Sequence, residues 1–271
     1  MLHLAEQEDV GAQARPSGDQ APTIVEIAAL TKKFESVLAV DELSFRIREN
    51  EFVSIVGPSG CGKSTLLRMI SGLVTTTSGT IRVRGEVVSR PIQDVGMVFQ
   101  SPVLLPWRTT LGNILFVAEM RGLSARHYRE RAQTLMETAG LGGFENSYPY
   151  ELSGGMQQRV AICRALLLDP SIILMDEPFG ALDIITRERM AFELQRIWSS
   201  SRNTVLFVTH SISEAVLLSD TVIVMTDRPG RISEIVEIDL PRPRDTDTLT
   251  AHRFIELSAT VRSNITVGWG D

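Results

Sequence analysis

The stretch from Glu51 to Thr65, EFVSIVGPSGCGKST, decides the fold of this 271-residue chain. A short apolar run ends at Gly57, which predicts a buried strand. A glycine-rich loop with the spacing G-x-x-x-x-G-K-[ST] follows, completed by Lys63 and Ser64. The apolar periodicity from Leu66 to Ile70 then predicts a helix, stopped by a glycine. A strand, a loop of this spacing and a helix in this order are typical of a phosphate-binding loop.

The chemistry of phosphate binding accounts for the residue types in this loop. Glycines allow backbone N–H groups to turn inward around phosphate oxygens, and the following helix directs its positive end at the same place. Lys63 supplies a positive charge, and the Ser64 hydroxyl can reach Mg²⁺. An alternative is a glycine-rich turn with an exposed lysine, but the strand–helix context favours phosphate binding. The residues expected to contact ATP here are Gly57, Pro58, Ser59, Gly60, Cys61, Gly62, Lys63, Ser64 and Thr65.

A second motif is an apolar run, Ile172 to Met175, that ends in two acids, Asp176 and Glu177. At the carboxyl end of a buried strand, Asp176 can hold Mg²⁺ directly or through a water. Glu177 is then placed to accept a proton from an attacking water. Acids also occur at strand ends merely for solvation. The phosphate loop earlier in the chain favours the catalytic interpretation.

The remaining periodicity predicts an α/β protein with a mainly parallel sheet. β-like runs at 24–30 and 45–47 predict a small N-terminal antiparallel sheet that leads into the strand ending at Gly57. A region of mainly helical pattern, about 101–165, includes a helix with Ser124 as N-cap and Gly140 at its end. Its apolar side is predicted to carry Tyr128, Ala132, Leu135, Met136 and Ala139. Strands and helices then alternate, over 172–176, 187–198, 204–210, 213–218 and 221–225.

The segment Leu152 to Arg159, LSGGMQQR, is the most specific of all. Ser153 can cap a helix whose first N–H groups, unobstructed at Gly154 and Gly155, can meet an anion. The segment resembles the LSGGQ signature of the ATP-binding cassette (ABC) family, with Met156 in place of glutamine. The resemblance implies a P-loop NTPase core with an inserted helical subdomain. It also implies that the signature contacts the γ-phosphate held by a second copy of the chain.

Four single residues match other motifs of the family. Gln100 matches a residue that touches Mg²⁺ or the lytic water, and His210 matches a histidine that contacts the γ-phosphate. Asp183 matches an aspartate that crosses to the neighbouring nucleotide site, and Phe34 matches an aromatic residue that stacks on adenine. A lone histidine is more often structural, and a phenylalanine in the core is a serious rival for Phe34.

The resemblance covers roughly residues 24–235 and leads to a domain prediction. Residues 1–22 lack periodicity and are predicted to be a disordered leader, and 23–240 form the ATPase domain. Residues 241–271 form a tail with a short helix that carries Phe254, Leu257 and Val261 on one side.

Composition limits the partners. The net charge of −6 argues against a dedicated nucleic-acid binder, and no run approaches the ~20 apolar residues of a spanning helix. The N-terminus lacks a signal-peptide pattern, and Cys61 and Cys163 lack metal-ligand spacing, so a reduced cytosolic compartment fits best. Cys61 is expected to fill space within the loop, and Cys163 to lie in the core.

Two phrases, LLPW at 104–107 and MTDRPGRI at 225–232, resemble the nitrate/sulfonate/taurine importer branch of the family. That implies a membrane permease dimer and a periplasmic or lipid-anchored solute-binding protein, with the chain on the cytoplasmic face of the bacterial inner membrane. Leu104, Leu105 and Trp107 are expected to line the groove where the permease docks; core packing is the alternative.

Rival functions are less well supported by the sequence. Cassettes of chromosome maintenance need a long coiled-coil insertion, for which the segment between Lys63 and Ser153 is too short. Translation factors usually carry two tandem cassettes, and a non-enzymatic module would lack the acid at Glu177. An exporter or lipoprotein-release ATPase is the closest rival.

Overall fold

The computed structural model describes residues 21–201 and 203–266 of the chain. Residues 1–20 of the predicted leader therefore lie outside the described residues. The predicted domain boundaries stay predictions, because no feature of the fold tests them.

The N-terminal part is an antiparallel sheet, as the sequence predicts. Its strands lie side by side in the order β2-β1-β4-β5. β1 and β2 are longer than their apolar runs suggest, because paired backbone groups continue the ladder through polar positions. The strands are β1 (Thr23–Phe34), β2 (Val37–Arg48), β4 (Ser78–Val83) and β5 (Glu86–Val87).

The second sheet carries the phosphate loop and has the order β10-β9-β3-β8-β7-β6. All its neighbouring pairs are parallel except β10 and β9, so the predicted mainly parallel sheet is confirmed. The central strands β3, β7 and β8 are buried along their whole length, as expected for strands covered on both faces. The strands are β3 (Phe52–Val56), β6 (Val95–Val98), β7 (Ile172–Asp176), β8 (Thr204–Val208), β9 (Thr221–Met225) and β10 (Ile232–Glu237).

Two cores lie on opposite faces of this sheet. Val53 and Ile55 of β3 face a core shared with the antiparallel sheet and helix α1 (Lys63–Ile70). Phe52 and Val56 face the larger core, which is covered by the other helices. This alternation follows from the period of two along a strand. The loop that follows β3 therefore begins between the two cores.

The other helices include a group inserted between β6 and β7, where the sequence predicts a helical subdomain. Within it α2 packs on α4. Among the described residues, none of the helices is both long and apolar enough to cross a membrane. The helices are α2 (Thr110–Met120), α3 (Arg129–Thr138), α4 (Gly154–Leu166), α5 (Ile184–Ser201), α6 (Ile212–Leu218) and α7 (His252–Thr266).

The start of α3 differs from the prediction. Ser124 does not cap this helix, which begins only at Arg129. The chain instead makes a tight turn in which the His127 N–H donates to the Ser124 carbonyl. The predicted apolar side is nevertheless correct, since Ala132 and Met136 are fully buried. Periodicity thus located the buried side, while the local turn decided where the helix begins.

The C-terminal segment packs into the larger core. Phe254, Leu257 and Val261 of α7 are buried there, as their spacing predicts. Arg244 is also buried, and its guanidinium donates to the Val216, Leu217 and Ser219 carbonyls near the end of α6 and to the Leu240 carbonyl. A cation at a helix C-terminus is favourable because the exposed carbonyls carry partial negative charge. This segment therefore contributes to the same core as the sheet.

Candidate functional site

The predicted phosphate loop lies between the carboxyl end of β3 and α1. Gly62, just before α1, has φ 103°, which a side chain would strain. A Cβ there would also lie 2.7 Å from Cγ2 of Val40 and 2.9 Å from the carbonyl oxygen of Ala39. The glycine is thus required by close approach of β2 to the loop. The site is built where the antiparallel and parallel sheets meet.

The Lys63 side chain lies within the loop. It is only 4% exposed, and its Nζ donates to the carbonyl oxygens of Gly57 and Pro58, both at 2.8 Å. These carbonyls balance the buried ammonium with hydrogen bonds. The exposed lysine of the alternative interpretation is therefore excluded. A positive charge held here suits a phosphate group that enters the loop.

Ser64 and Asp176 meet across the sheet. The Ser64 Oγ donates to Asp176 Oδ1 at 2.7 Å, although the two residues are 112 positions apart. Asp176 ends β7 and is 8% exposed. A buried carboxylate beside a hydroxyl is an oxygen pair of the kind that holds Mg²⁺ together with phosphate oxygens and water. Among the described residues, no group of three or more acidic, histidine or cysteine side chains is arranged to hold a metal ion.

Glu177 and His210 face each other at the ends of neighbouring strands. Glu177 Oε2 lies 3.4 Å from His210 Nδ1, and the Glu177 N–H donates to the Val208 carbonyl. Glu177 has φ 45°, a left-handed conformation that costs free energy in a residue with a side chain. Such strain is often found at functional positions. The pair can accept and pass a proton at the same edge as Ser64 and Asp176.

A buried carboxylate lies next to this pair. Thr209 Oγ1 donates to Glu214 Oε2 at 2.6 Å, and Arg187 Nε lies 3.5 Å from Glu214 Oε1. Burial raises the pKa of Glu214, and the hydrogen bond from Thr209 and the charges of Arg187 and His210 oppose that rise. Glu214 therefore connects the segment that bears His210 to α5. Sequence reasoning missed it, because an acid inside a helical pattern gives no such signal.

Gln100 lies just beyond β6 and approaches the turn after Glu177. Its Nε2 lies 2.9 Å from where a Cβ on Gly180 would stand. Gln158 of α4 donates from Nε2 to the carbonyl oxygen of Phe99, the residue before Gln100. The helix that carries the signature, α4, is therefore bonded to the Gln100 segment. Gln158 was not predicted as a site residue, although it lies within the signature segment.

A groove of about 300 Å³ runs from the phosphate loop to Phe34. Phe34 is 44% exposed, so it is not the core residue of the rival interpretation. The Nζ of Lys32 lies 4.7 Å from the centre of its ring. The groove brings many of the predicted residues together. It is lined by Phe34, Val37, Ala39, Ser59, Gly60, Gly62, Lys63, Ser64, Thr65, Glu177 and Arg228.

Another set of predicted residues lies outside the groove. Ser153 caps α4 by accepting from the Met156 N–H at 3.3 Å, and both Ser153 and Gly154 are exposed. Asp183 is exposed too, and its Oδ1 accepts from the Thr186 N–H; hydrogen bonds from Thr186 lower its pKa. The two segments adjoin, since a Cβ on Gly155 would lie 3.3 Å from Cγ2 of Thr186. One chain therefore presents the signature and the groove as separate surfaces.

The departure at Met156 has a structural consequence of its own. The side chain is half-buried and packs against the larger core. The Ser153 cap involves only the backbone N–H at this position, so it forms without a glutamine.

Both cysteines are buried, and burial raises the pKa of the Cys61 thiol and raises that of Cys163 to about 12. Neither is a thiolate nucleophile at neutral pH.

Arg228 lines the groove, Gly230 lies two residues after it, and neither was predicted as a site residue. They lie in the turn between β9 and β10, and Arg228 Nη2 donates to the Gly60 carbonyl at 2.9 Å. The available signal was a basic residue beside Pro-Gly in the MTDRPGRI phrase. That phrase carries no local pattern of phosphate binding, so only the fold reveals the contact.

The loop, the paired acids and the mainly parallel sheet define a nucleotide-hydrolysing α/β protein of the phosphate-loop class. Comparison with known proteins narrows this class. A sequence profile described as "ABC transporter" matches residues 40–180. An uncharacterized ABC transporter ATP-binding protein of Methanocaldococcus jannaschii is 51% identical over 242 residues, covering 88% of this chain and 90% of that protein. The chain therefore belongs to the ABC transporter family, and it is an ATPase.

Two further similarities refine the family assignment. An aliphatic sulfonates import ATP-binding protein of Bacillus cereus is 42% identical, over 85% of this chain and 90% of that protein. A solved structure described as a dimeric, post-hydrolysis state of an ATP-binding cassette with ADP and Pi superposes with a TM-score of 0.69 at 33% identity. It covers 80% of this chain and 100% of that one.

Proposed function

We propose that this ATPase is the nucleotide-binding subunit of an importer and energises uptake of a small solute through a separate permease. The observation that carries the proposal is the 42% identity, over most of both chains, to a protein named for import of aliphatic sulfonates. A solute of sulfonate type is therefore the proposed cargo class. The ATPase works on the cytoplasmic face of the cell membrane and is held there by the permease. A binding protein outside the membrane delivers the solute.

Each set of site residues has a proposed part in hydrolysis. Lys63 and the loop amides bind and orient the phosphates, and Phe34 stacks on adenine. Glu177 accepts the proton of the attacking water, while His210, held 3.4 Å away, orients the γ-phosphate and the carboxylate. Gln100 lies beside the turn after Glu177, where it can sense the same water.

Mg²⁺ is proposed to be held by Ser64, Asp176 and, through its amide oxygen, Gln100. The oxygen pair of Ser64 and Asp176 fits this ion, because Mg²⁺ is usually bound by one or two protein oxygens in addition to phosphate and water. When bound, the ion neutralises charge that develops on the phosphate oxygens. The role of these side chains is to hold it at the carboxyl edge of the sheet.

A dimer is proposed because Ser153, Gly154 and Asp183 are exposed and lie outside the groove. The capped start of α4 can meet an anion, yet within one chain it does not line the nucleotide groove. A second copy, related by two-fold symmetry, would place this surface over its neighbour's phosphate loop. The dimeric state named for the superposed cassette supports this arrangement.

Transport by reconstituted components tests the importer proposal. Vesicles that contain this chain, its partner permease and internal ATP are expected to accumulate a labelled alkanesulfonate when its binding protein is outside. Vesicles with a Lys63→Ala chain provide the matched control, because the mutant keeps the surfaces that face the permease. Export of solute from the vesicles, or uptake that is equal with the Lys63→Ala chain, would contradict import driven by this ATPase.

The segment after Gln100 is proposed as part of the permease docking surface. Asn113 is fully buried and fixes this segment to α2: its Oδ1 accepts from the Leu105 N–H at 2.7 Å, and its Nδ2 donates to the Leu105 carbonyl. Leu104 packs partly against the core, which supports core packing for that residue. Trp107, in contrast, is 71% exposed. The proposed anchor of the permease is therefore Trp107.

A Trp107→Ser variant is expected to retain its melting temperature and nucleotide affinity, because the indole is exposed. Loss of an aromatic anchor at an interface typically costs ~2 kcal/mol or more, so co-purification with the permease and transport should fall ~30-fold. Ile255→Ser, which removes another exposed apolar side chain on α7, is the control. Normal permease binding by the Trp107→Ser chain would contradict the docking role.

A further inference from the structure

The turn between β9 and β10, residues 226–231, contacts the phosphate loop. Its Arg228 donates from Nε and Nη2 to the carbonyl oxygen of Gly60, at 3.1 and 2.9 Å. The two residues are 168 positions apart. Both line the nucleotide groove, as Ser59 does. A guanidinium thus holds the outer side of the loop that is proposed to wrap the phosphates.

The turn itself is held firmly against the loop and the antiparallel sheet. The Gly230 N–H donates to the Ala39 carbonyl at 3.1 Å, and the Asp41 N–H donates to the Gly230 carbonyl at 3.0 Å. A Cβ on Gly230 would lie 2.0 Å from the Cys61 carbonyl oxygen, so the backbones touch. The backbone of the turn from which Arg228 extends is therefore fixed next to the loop.

The Arg228 contact determines how one loop peptide is oriented. In a trans peptide the carbonyl and the following N–H point in opposite directions. Since the Gly60 carbonyl is directed at the guanidinium, the Cys61 N–H faces the other way. It donates at 3.4 Å to the Pro58 carbonyl, which also accepts from the buried Lys63 Nζ. The Cys61 N–H is therefore directed into the interior of the loop.

We propose that Arg228 is a positioning residue of the ATPase. By holding the Gly60 carbonyl outward, it fixes the Gly60–Cys61 peptide in one orientation, with the Cys61 N–H on the side of the Pro58 carbonyl and Lys63, before nucleotide arrives. A planar guanidinium can place two donors on one oxygen, whereas an ammonium presents a single point charge on a flexible stem. The inference rests on the proposed phosphate loop. The role is in binding, so it concerns nucleotide affinity rather than the proton transfer at Glu177.

Nucleotide affinity of an Arg228→Gln chain tests the inference directly. The Kd of a fluorescent ATP analogue and the KM for ATP are expected to rise ~10-fold, which corresponds to ~1.4 kcal/mol, with kcat nearly unchanged. The melting temperature without nucleotide should stay the same, because the side chain is exposed. Arg46→Gln is the matched control: it removes an exposed arginine that pairs with Glu26 away from the groove.

A conservative variant separates positioning from charge alone. Arg228→Lys is expected to recover less than half of the lost affinity, since lysine keeps the charge but lacks the planar guanidinium that places two donors on one oxygen. Full recovery by lysine, an unchanged Kd in Arg228→Gln, or an equal loss in Arg46→Gln would overturn the proposal. So would a lowered melting temperature with no change in Kd. If Lys63→Ala leaves binding unchanged, the phosphate-loop assignment itself has failed, whatever Arg228 does.

Discussion

Replacement of Glu177 by glutamine is expected to lower the rate of ATP hydrolysis ~10²–10⁴-fold, the usual contribution of a positioned general base. Glutamine keeps the shape of the side chain and can still contact His210, but it cannot accept the proton of the attacking water. ATP binding should change little, because Lys63 and the loop amides are untouched. Single-turnover hydrolysis and the Kd for an ATP analogue, measured on the same preparation, check both parts.

The Glu177→Gln chain should also remain longer in its nucleotide-bound dimeric form, because hydrolysis no longer releases it. Size-exclusion chromatography with ATP measures this lifetime. Glu234→Gln provides a control, since Glu234 is an exposed acid on β10 away from the groove. Steady-state hydrolysis close to that of the unaltered chain would show that Glu177 is not the base. The strained φ of Glu177 would then need another explanation.

The parts of the site that follow one another along the chain were predictable from sequence. The strand, loop and helix around Lys63 form a local unit. The spacing of residue types within that unit is enough to indicate how each of them would contact a phosphate. The two acids where β7 ends, Asp176 and Glu177, were also predictable, because parallel strands end at one edge of a sheet. The hydrogen bond from Ser64 to Asp176, at 2.7 Å, is the consequence.

The parts that depend on tertiary contact were not predictable. Arg228 reaches Gly60 only because β9 lies next to β3 in the sheet and β10 folds back beside β9. Glu214 contacts Arg187 only because α5 and α6 pack together. Periodicity reports which side of an element is buried, and it carries no information about which distant polar group that side meets. The late start of α3 has a different cause, because the local hydrogen bond from the His127 N–H to the Ser124 carbonyl decides it.

Because the signature is exposed, the strongest test asks whether one chain alone forms a complete nucleotide site. If Ser153 of one copy meets ATP on the other, each nucleotide site takes its loop from one subunit and its signature from the partner. A Lys63→Ala chain then lacks a working loop but keeps a working signature. A Ser153→Arg chain has the opposite defect. Each homodimer is expected to be inactive, because both of its sites are damaged.

A mixture of the two chains is expected to regain activity. In a mixed dimer the intact Lys63 of one chain faces the intact Ser153 of the other, so one of its two sites is complete. With random pairing at equal amounts, about a quarter of the unaltered activity should return if sites act independently. Differently tagged chains, purified in tandem, allow hydrolysis to be measured on the mixed dimer alone.

The control pair places both defects on the same half of the site. Lys63→Ala mixed with Glu177→Gln leaves no complete site in any dimer, so activity should not return. Since Ser153 also caps α4, its loss can cost ~0.5–2 kcal/mol of stability. Gly154→Arg is therefore a second variant, because a Cβ there meets only Leu182 Cδ2, at 3.8 Å, and the cap is retained. Mixed dimers that form but remain inactive with both signature variants, or recovery in the control pair, would refute the shared site.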